Sequence, residues 1–158
     1  MKKKTVAVIS AIIGSICGSA AGIALAGKIV DQKEKKADKF NAYYNMLNQW
    51  LILKQEGKTL EEYFINNGYK TIAIYGMGEM GKRLHDELKS SSIQIKYAVD
   101  ENDADTYSDI EVLGKEEGYP YADVIVVTAT FAYDDIREEL QRKVTFPVIS
   151  LDDVVYEI

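Results

Sequence analysis

Residues 71–81 have the sequence TIAIYGMGEMG, in which a short β-branched run leads directly into a complete G-x-G-x-x-G motif. The run at 71–75 predicts a strand that is buried on both faces, as strands of parallel sheets are. Apolar residues at four-residue spacing then predict a helix over about 79–89, and 93–99 predicts a second strand that ends in Asp100. This order of strand, glycine loop, helix, strand and acidic residue is typical of a dinucleotide-binding unit.

The three glycines and Asp100 each have a distinct expected role. Gly76 allows a tight turn, Gly78 lets a phosphate approach the backbone, and Gly81 allows the helix to pack closely on the sheet. The N–H groups at the start of the helix then offer hydrogen bonds and partial positive charge to an anion. Asp100 is placed to accept hydrogen bonds from both ribose hydroxyls. Because residues 101–103 include no cation, NAD or a nucleotide sugar is the expected ligand rather than NADP.

A purely structural role for the glycine loop, in turning the chain and packing the helix, is the alternative to ligand binding. Glu79 favours that alternative slightly, because a carboxylate in the first helical turn competes with a bound phosphate. The residues predicted to bind the nucleotide are Gly76, Met77, Gly78, Glu79, Met80, Gly81, Asp100, Thr128 and Thr130.

The remainder of residues 69–158 is expected to complete a small Rossmann-like α/β domain. The apolar pattern predicts a helix over 134–144 and further strands over 110–113, 124–129 and 147–151. Right-handed connections give a parallel sheet of order 3-2-1-4-5. Thr128 and Thr130 then flank the glycine loop across the crevice, where they contact the ligand or cap the turn from strand to helix.

The first 28 residues contain an uncharged run at 5–27 with lysines on both sides. As a helix this run is about 34 Å long at 1.5 Å per residue, enough to cross a hydrocarbon core of about 30 Å. The pattern predicts a transmembrane anchor over 1–28 in contact with membrane lipid; a cleaved secretory signal is the alternative. Lysines that follow the run predict a single-pass protein of the cell membrane with a cytoplasmic C-terminal domain.

Small residues recur at every fourth position of this run and include Gly14, Gly18 and Gly22. The spacing is typical of membrane helices that associate closely, although Gly and Ala are also frequent in such helices for other reasons. We expect a homo-oligomer that forms through this face and the segment that follows it.

Residues 29–68 are predicted to form a helical neck. Four apolar residues alternate at four- and three-residue steps: Phe40, Tyr44, Leu47 and Leu51. They form the seam either of a short coiled coil or of a helix packed on the protein's own domain, and two heptads do not decide between these. Farther along, Thr59 and Glu62 match a capping box that opens a short helix ending at 67–68.

Charge and composition exclude several classes of function. Residues 69–158 carry 9 basic and 19 acidic side chains, so nucleic acid is not an expected partner. The single Cys17 excludes an internal disulfide, and the single His85 argues against a histidine metal site. We interpret His85 as a surface or packing residue. No pair of nucleophile and base is identifiable, so no catalytic residue is predicted.

Residues 70–158 resemble small Rossmann-like modules of bacterial cell-surface glycan biosynthesis, including the N-terminal nucleotide-sugar-binding domains of sugar O-acyltransferases. The segments that carry the resemblance are IAIYGMGEMG, AVD ending at Asp100, ADVIVVTAT and FPVISLDDV. The stretch at 40–68, notably YYNMLNQWLILKQEGKTLEEYF, is similar to segments that accompany such domains in Gram-positive surface-polysaccharide proteins. The chain lacks the hexapeptide repeats of a complete acyltransferase.

Three functions follow from these expectations. The first is a membrane-anchored, non-catalytic accessory or sensor protein that binds NAD or a nucleotide sugar and associates with glycan-assembly proteins. The second is a component of an NAD-dependent oxidoreductase whose substrate domain lies on a partner chain. The third is a structural, oligomerising adaptor whose nucleotide site is vestigial.

Overall fold

A computed structural model of the chain describes residues 36–100, 109–115 and 118–158. Internal contacts divide the chain between Tyr43 and Tyr44. In the first unit, the described residues 36–43 are helical. The second unit, Tyr44–Ile158, contains the sheet and the helices around it. Residues 44–68 of the predicted neck therefore belong to the same unit as the predicted nucleotide-binding domain.

The second unit alternates strands and helices along most of its length. Helix α1 covers 44–55. The elements that follow in chain order are α2 (Leu60–Asn66), β1 (Thr71–Tyr75), α3 (Glu79–Leu88), β2 (Gln94–Val99), β3 (Val112–Leu113), β4 (Val124–Val127), a 3₁₀ turn (Thr130–Ala132), α4 (Tyr133–Leu140), β5 (Val148–Ser150) and α5 (Leu151–Tyr156).

The five strands form one sheet in the order β3-β2-β1-β4-β5, with every neighbouring pair parallel. The predicted α/β parallel sheet and its strand order are thus confirmed, whereas the transmembrane helix that the predicted fold class places before the domain is corrected below. Strand β1 lies at the centre, and Ile72, Ala73 and Ile74 are fully buried because helices cover both faces. The register between β1 and β2 shifts after Ile72.

The connections place α3 and α4 on opposite faces of the sheet. Helix α3 leads from β1 to β2 and α4 from β4 to β5, in opposite directions across the sheet, so two right-handed crossovers put them on opposite sides. On the α4 side, Ala73 and Tyr75 join a core cluster with Ile125 and Leu140. The carboxyl ends of β1 and β4 meet at the point where these connections diverge, which is where α/β sheets bind ligands.

Helix α1 packs on the domain through a different face from the predicted seam. Its buried residues are Met46, Trp50 and Leu53. The seam residues of α1 are exposed instead: Tyr44 70%, Leu47 39% and Leu51 56%. The remaining seam residue, Phe40, belongs to the first unit and is 70% exposed. The sequence therefore carries two apolar stripes in this segment, and the stripe that the four-three spacing predicted is not the one that contacts the domain.

Glu87 on α3 binds groups of both α1 and α2 and so connects these two helices to α3. Its carboxylate accepts a hydrogen bond from Trp50 Nε1 at 2.6 Å and from the Leu60 backbone N–H at 2.8 Å. Lys54 Nζ lies 2.7 Å from the same group. The Glu87 side chain is only 8% exposed, so these three donors compensate a carboxylate that is largely removed from water.

The short helices begin and end at the predicted polar residues, with one helix that we did not expect. The Thr59 N–H donates to the Glu62 carboxylate at 3.1 Å. Asn67 is the C-cap of α2 and is followed by Gly68, whose φ is 75°. Helix α5 was not predicted, because 147–151 was interpreted only as a strand. Ser150 and Asp153 form a capping box at its start, and this S-x-x-D pattern identifies the helix in the sequence.

The predicted transmembrane helix requires correction. Within the parts of the chain described above, no helix is long and apolar enough to cross a membrane. The longest helical stretch there consists of residues 36–43 of the first unit and α1, and it has charged residues near both of its ends. The prediction of a single-pass, cell-membrane protein with a cytoplasmic C-terminal domain is wrong on this finding. The run at 5–27, with Gly14, Gly18 and Gly22, lies outside the described residues.

Tyr97 of β2 is expected to make the stability of the domain sensitive to alkaline pH. Its ring is buried, and its O–H donates to the Pro120 carbonyl at 2.7 Å. Burial, with a smaller contribution from Tyr119, raises the pKa of Tyr97 to about 12. A raised phenol pKa favours the folded state fully below the unfolded value near 10, and this contribution is lost as the pH rises from about 10 to 12.

We expect the urea midpoint of the wild-type chain to fall as the pH rises through this range. Tyr97→Phe removes the titrating group, so its midpoint should be lower at neutral pH but should decline less steeply above about pH 10. Chemical unfolding followed by circular dichroism at several pH values measures both slopes. Parallel slopes for the two proteins would show that Tyr97 does not contribute.

Candidate functional site

Gly76 makes the turn out of β1 in a conformation that requires glycine. Its φ is 95°, and a Cβ at this position would lie 2.8 Å from the Thr128 hydroxyl. The Gly76 N–H donates to the Val99 carbonyl at 2.8 Å, which holds the turn against the end of β2. The predicted tight turn is therefore built at the junction of β1, β2 and β4.

Gly81 brings the first turn of α3 into direct contact with the turn at Gly76. A Cβ at Gly81 would lie 2.1 Å from the Gly76 carbonyl oxygen and 3.1 Å from its carbon. Both atoms belong to the backbone and cannot rotate away. This close approach fixes the position and direction of the amino end of α3 relative to the sheet.

Gly78 differs from the other two glycines because the fold does not need its lack of a side chain. Its φ of −65° and ψ of −165° are open to any residue, and a Cβ there would meet no atom within 4 Å. It occupies the N-cap position of α3, where no side chain caps the helix. The result is an open approach to the N–H groups of the first helical turn.

Asp100 lies beside the glycine loop, as predicted, but bonds to the loop itself. Its carboxylate accepts a hydrogen bond from the Met77 backbone N–H at 2.6 Å. This bond fixes the loop to the end of β2, a role that the sequence did not suggest. A carboxylate has about four acceptor positions, so the bond to Met77 does not by itself exclude the predicted contact with ribose hydroxyls.

The two threonines after β4 have different environments. The Thr128 hydroxyl is buried and donates to the backbone carbonyls of the glycine turn, at 2.7 Å from Gly76 O and 3.2 Å from Tyr75 O. Thr128 thus stabilises the turn from inside the fold. Among the described residues, the buried Thr130 hydroxyl has no hydrogen-bond partner at normal distance. It lies near Asp152, whose carboxyl pKa is raised mainly by burial.

The remaining loop residues contribute their backbone to the site. The side chains of Met77 and Met80 are buried in the fold. Glu79 is 72% exposed, with Oε2 3.8 Å from Nη2 of Arg83, one turn farther along the helix. The Glu79 carboxylate is therefore directed along the surface of α3, which weakens the competition with a bound anion that its position in the first turn suggested.

A second concave region of about 470 Å³ lies between α3, β2 and the segment before β3. His85, which we expected at the surface or in packing, is buried there, with Nε2 3.2 Å from an Asp109 carboxylate oxygen. Ser91 and Ser92 also line this cavity, but their hydroxyls donate to Leu88 O at 2.7 Å and Glu61 Oε1 at 2.5 Å. The geometry therefore directs neither serine hydroxyl to His85 as a nucleophile.

Metal coordination has no support in the described ranges. Among those residues, no group of three or more His, Cys, Asp or Glu side chains could hold a metal ion. The site that the structure assembles is thus made of backbone and hydrogen-bonding groups: the glycine turn, the start of α3, Asp100 and the threonines after β4.

Comparison with known proteins gives a family but no individual relative. No curated protein and no solved structure matches the chain. A family model described as C2185-like, N-terminal, matches residues 68–146, which include β1, the glycine loop, Asp100 and Thr128. This match covers half of the sequence. The chain therefore belongs to the C2185-like family, and residues 68–146 correspond to the N-terminal domain of that family.

Proposed function

We propose that the domain is a non-catalytic nucleotide-binding module that takes NAD or a nucleotide sugar at the glycine loop. The observation that carries the proposal is the open, uncapped start of α3 at Gly78. Gly76 and Gly81 are required for folding, but nothing within 4 Å requires a glycine at 78. A bare backbone at this position serves an anion that must come close to the helix.

The surroundings of Gly78 support a diphosphate with an attached ribose. The start of α3 offers unpaired N–H groups and partial positive charge to the phosphates. Asp100 lies on the adjoining strand and is fixed by its bond to Met77, so a ribose acceptor is held next to the phosphate position before any ligand arrives. Groups that are already fixed in this way reduce the conformational entropy that the protein loses when a ligand binds.

An accessory or sensor role in cell-surface glycan biosynthesis is part of the proposal. It rests on the resemblance of 72–81, the segment that ends at Asp100, and 122–130 to nucleotide-sugar-binding modules of that process. Glycan-assembly proteins are the partners that this role implies. A binding module without its own catalytic groups acts by reporting or delivering its ligand to such partners.

A structural adaptor with a vestigial site is the second candidate, and one observation favours it. Asp100 and Thr128 already bond to the backbone of the glycine turn, which is how these residues would be retained if only folding were selected. The two candidates differ in whether any nucleotide binds at Gly78.

Gly78→Asp separates binding from folding. An aspartate at the N-cap accepts hydrogen bonds from the first turn of α3 and is favourable at a helix start, so the melting temperature should stay level or rise. The same carboxylate occupies and repels the phosphate position. We expect a bound nucleotide at about 100 Kd to stabilise the wild-type chain by about 2.7 kcal/mol, and expect this stabilisation to disappear in Gly78→Asp.

Thermal unfolding with NAD, NADP and UDP-sugars measures this effect, and titration calorimetry confirms direct binding. Thr145→Asp is the control, because it adds the same charge at an exposed position before β5, away from the carboxyl ends of the strands. Ligand stabilisation should survive in this variant. If no nucleotide stabilises the wild-type chain, or if Gly78→Asp binds as well as wild type, the binding proposal fails and the adaptor remains.

A further inference from the structure

Helix α1 presents a second apolar face that the domain does not cover. Tyr44, Leu47 and Leu51 lie on consecutive turns and are 70%, 39% and 56% exposed. The opposite stripe of Met46, Trp50 and Leu53 is buried, so the exposed residues are not needed to attach the helix. Three large exposed side chains on one face of a docked helix are typical of an interaction surface.

A groove adjoins this face. It has a volume of about 250 Å³ and is lined by Leu47, Trp50, Leu51, Lys54, Arg83 and Glu87. This exceeds a cavity of roughly 150 Å³, which accommodates a benzene-sized group. The same surface thus carries both protruding leucines and a concavity that can receive a leucine or tyrosine side chain. A two-fold interface between identical copies requires this combination, because each patch must complement itself.

The charges around the face favour a second copy over a charged partner. Residues 40–53 contain no charged side chain. At the rim of the groove, Lys54 lies 2.7 Å from Glu87 and Arg83 lies 3.8 Å from Glu79, so both cations have acidic neighbours within the chain. Residues 69–158 carry 9 basic and 19 acidic side chains, which makes most other approaches of two copies repulsive. The apolar α1 face, whose segment 40–53 has no charged residue, adds nothing to that repulsion.

We propose that two copies of this chain associate through the exposed face of α1, formed by Tyr44, Leu47 and Leu51, with side chains of each copy entering the groove of the other. Aliphatic and aromatic burial supplies the attraction. The contact involves neither the glycine loop nor Asp100, so this interface is independent of the proposed nucleotide site.

Cysteine cross-linking in the full-length chain tests the contact. In a Cys17→Ser background, Leu47→Cys places a thiol near the two-fold axis of either a parallel or an antiparallel helix pair, and mild oxidation should convert most of it to a disulfide-linked dimer. Tyr44→Cys should cross-link to itself only in the parallel arrangement. Ile65→Cys is the matched control, because Ile65 is an apolar residue of another helix, α2, and at 56% it is more exposed than Leu47 at 39%.

All three variants share residues 1–39, so any association through that part of the chain affects them equally. The proposal is overturned if Leu47→Cys cross-links no better than Ile65→Cys. Sedimentation gives a second measurement: Leu51→Lys, on the exposed face, should shift a concentration-dependent dimer to monomer with an unchanged circular dichroism spectrum. A wild-type chain that stays monomeric, or a Leu51→Lys chain that stays dimeric, also overturns it.

Discussion

Gly81→Ala is expected to destabilise the domain by about 3 kcal/mol or more, at the upper end of what overpacking costs. The added Cβ would lie 2.1 Å from the Gly76 carbonyl oxygen. This oxygen accepts a hydrogen bond from the Thr128 hydroxyl at 2.7 Å, and the Gly76 N–H donates to the Val99 carbonyl at 2.8 Å. The Gly76 turn therefore cannot move away from α3 without breaking these bonds. For a domain of this size the melting temperature should fall by about 10 °C or more.

Gly78→Ala is the matched control for this change. It adds the same methyl group in the same loop, but no atom lies within 4 Å of its Cβ. Only the poorer N-cap preference of alanine remains, at a cost of about 1 kcal/mol or less. Urea unfolding of both variants measures the difference. Equal destabilisation would mean that α3 does not pack on the Gly76 turn as the structure shows.

The second large effect is expected at Glu87. Glu87→Ala leaves the Trp50 indole N–H, the Leu60 backbone N–H and the Lys54 ammonium without their common acceptor. Removal of one partner from a buried network of this kind costs about 3 kcal/mol. Trp50 is the single tryptophan of the chain, so its fluorescence emission should shift to the red in Glu87→Ala as water reaches the indole.

Two further variants separate the causes of this loss. Glu87→Gln keeps one oxygen acceptor at nearly the same position and should lose about half as much stability as Glu87→Ala. Glu138→Ala removes an exposed glutamate that pairs with Arg142 four residues later, and should change stability by less than about 0.5 kcal/mol. If Glu87→Ala were as mild as Glu138→Ala, α1 and α2 would not depend on this carboxylate.

The sequence predicted correctly those parts of the fold that depend on short-range sequence patterns. The run at 71–75, the glycine motif and the apolar periods placed β1, α3 and β4 within a few residues, and right-handed crossovers then fixed the strand order. Each of these features depends on neighbours along the chain. The capping box at Ser150 was equally local, and α5 was missed only because 147–151 also matched a strand.

Other features depend on contacts between distant segments, which periodicity does not specify. The α1 sequence has two apolar stripes, and only the position of α3 and Glu87 determines that the stripe of Met46 and Trp50 is buried. Likewise, the hydrogen bond from the Met77 N–H to Asp100 depends on the register of β2 against β1, which determines where β2 ends beside the loop. The predicted membrane anchor was inferred from the length of an uncharged run and the lysines on both sides of it, and no helix of the described residues supports it.

The unequal demands on the three loop glycines also determine how the motif should vary among relatives. Positions 76 and 81 are constrained by backbone conformation and steric contact, so folding alone should preserve glycine there in every lineage. Position 78 is constrained only by what approaches it from outside. Under the proposed function, relatives that no longer bind a nucleotide should therefore carry serine, aspartate or asparagine at 78 and keep glycine at 76 and 81. A change at 78 alone would then distinguish loss of binding from loss of the fold.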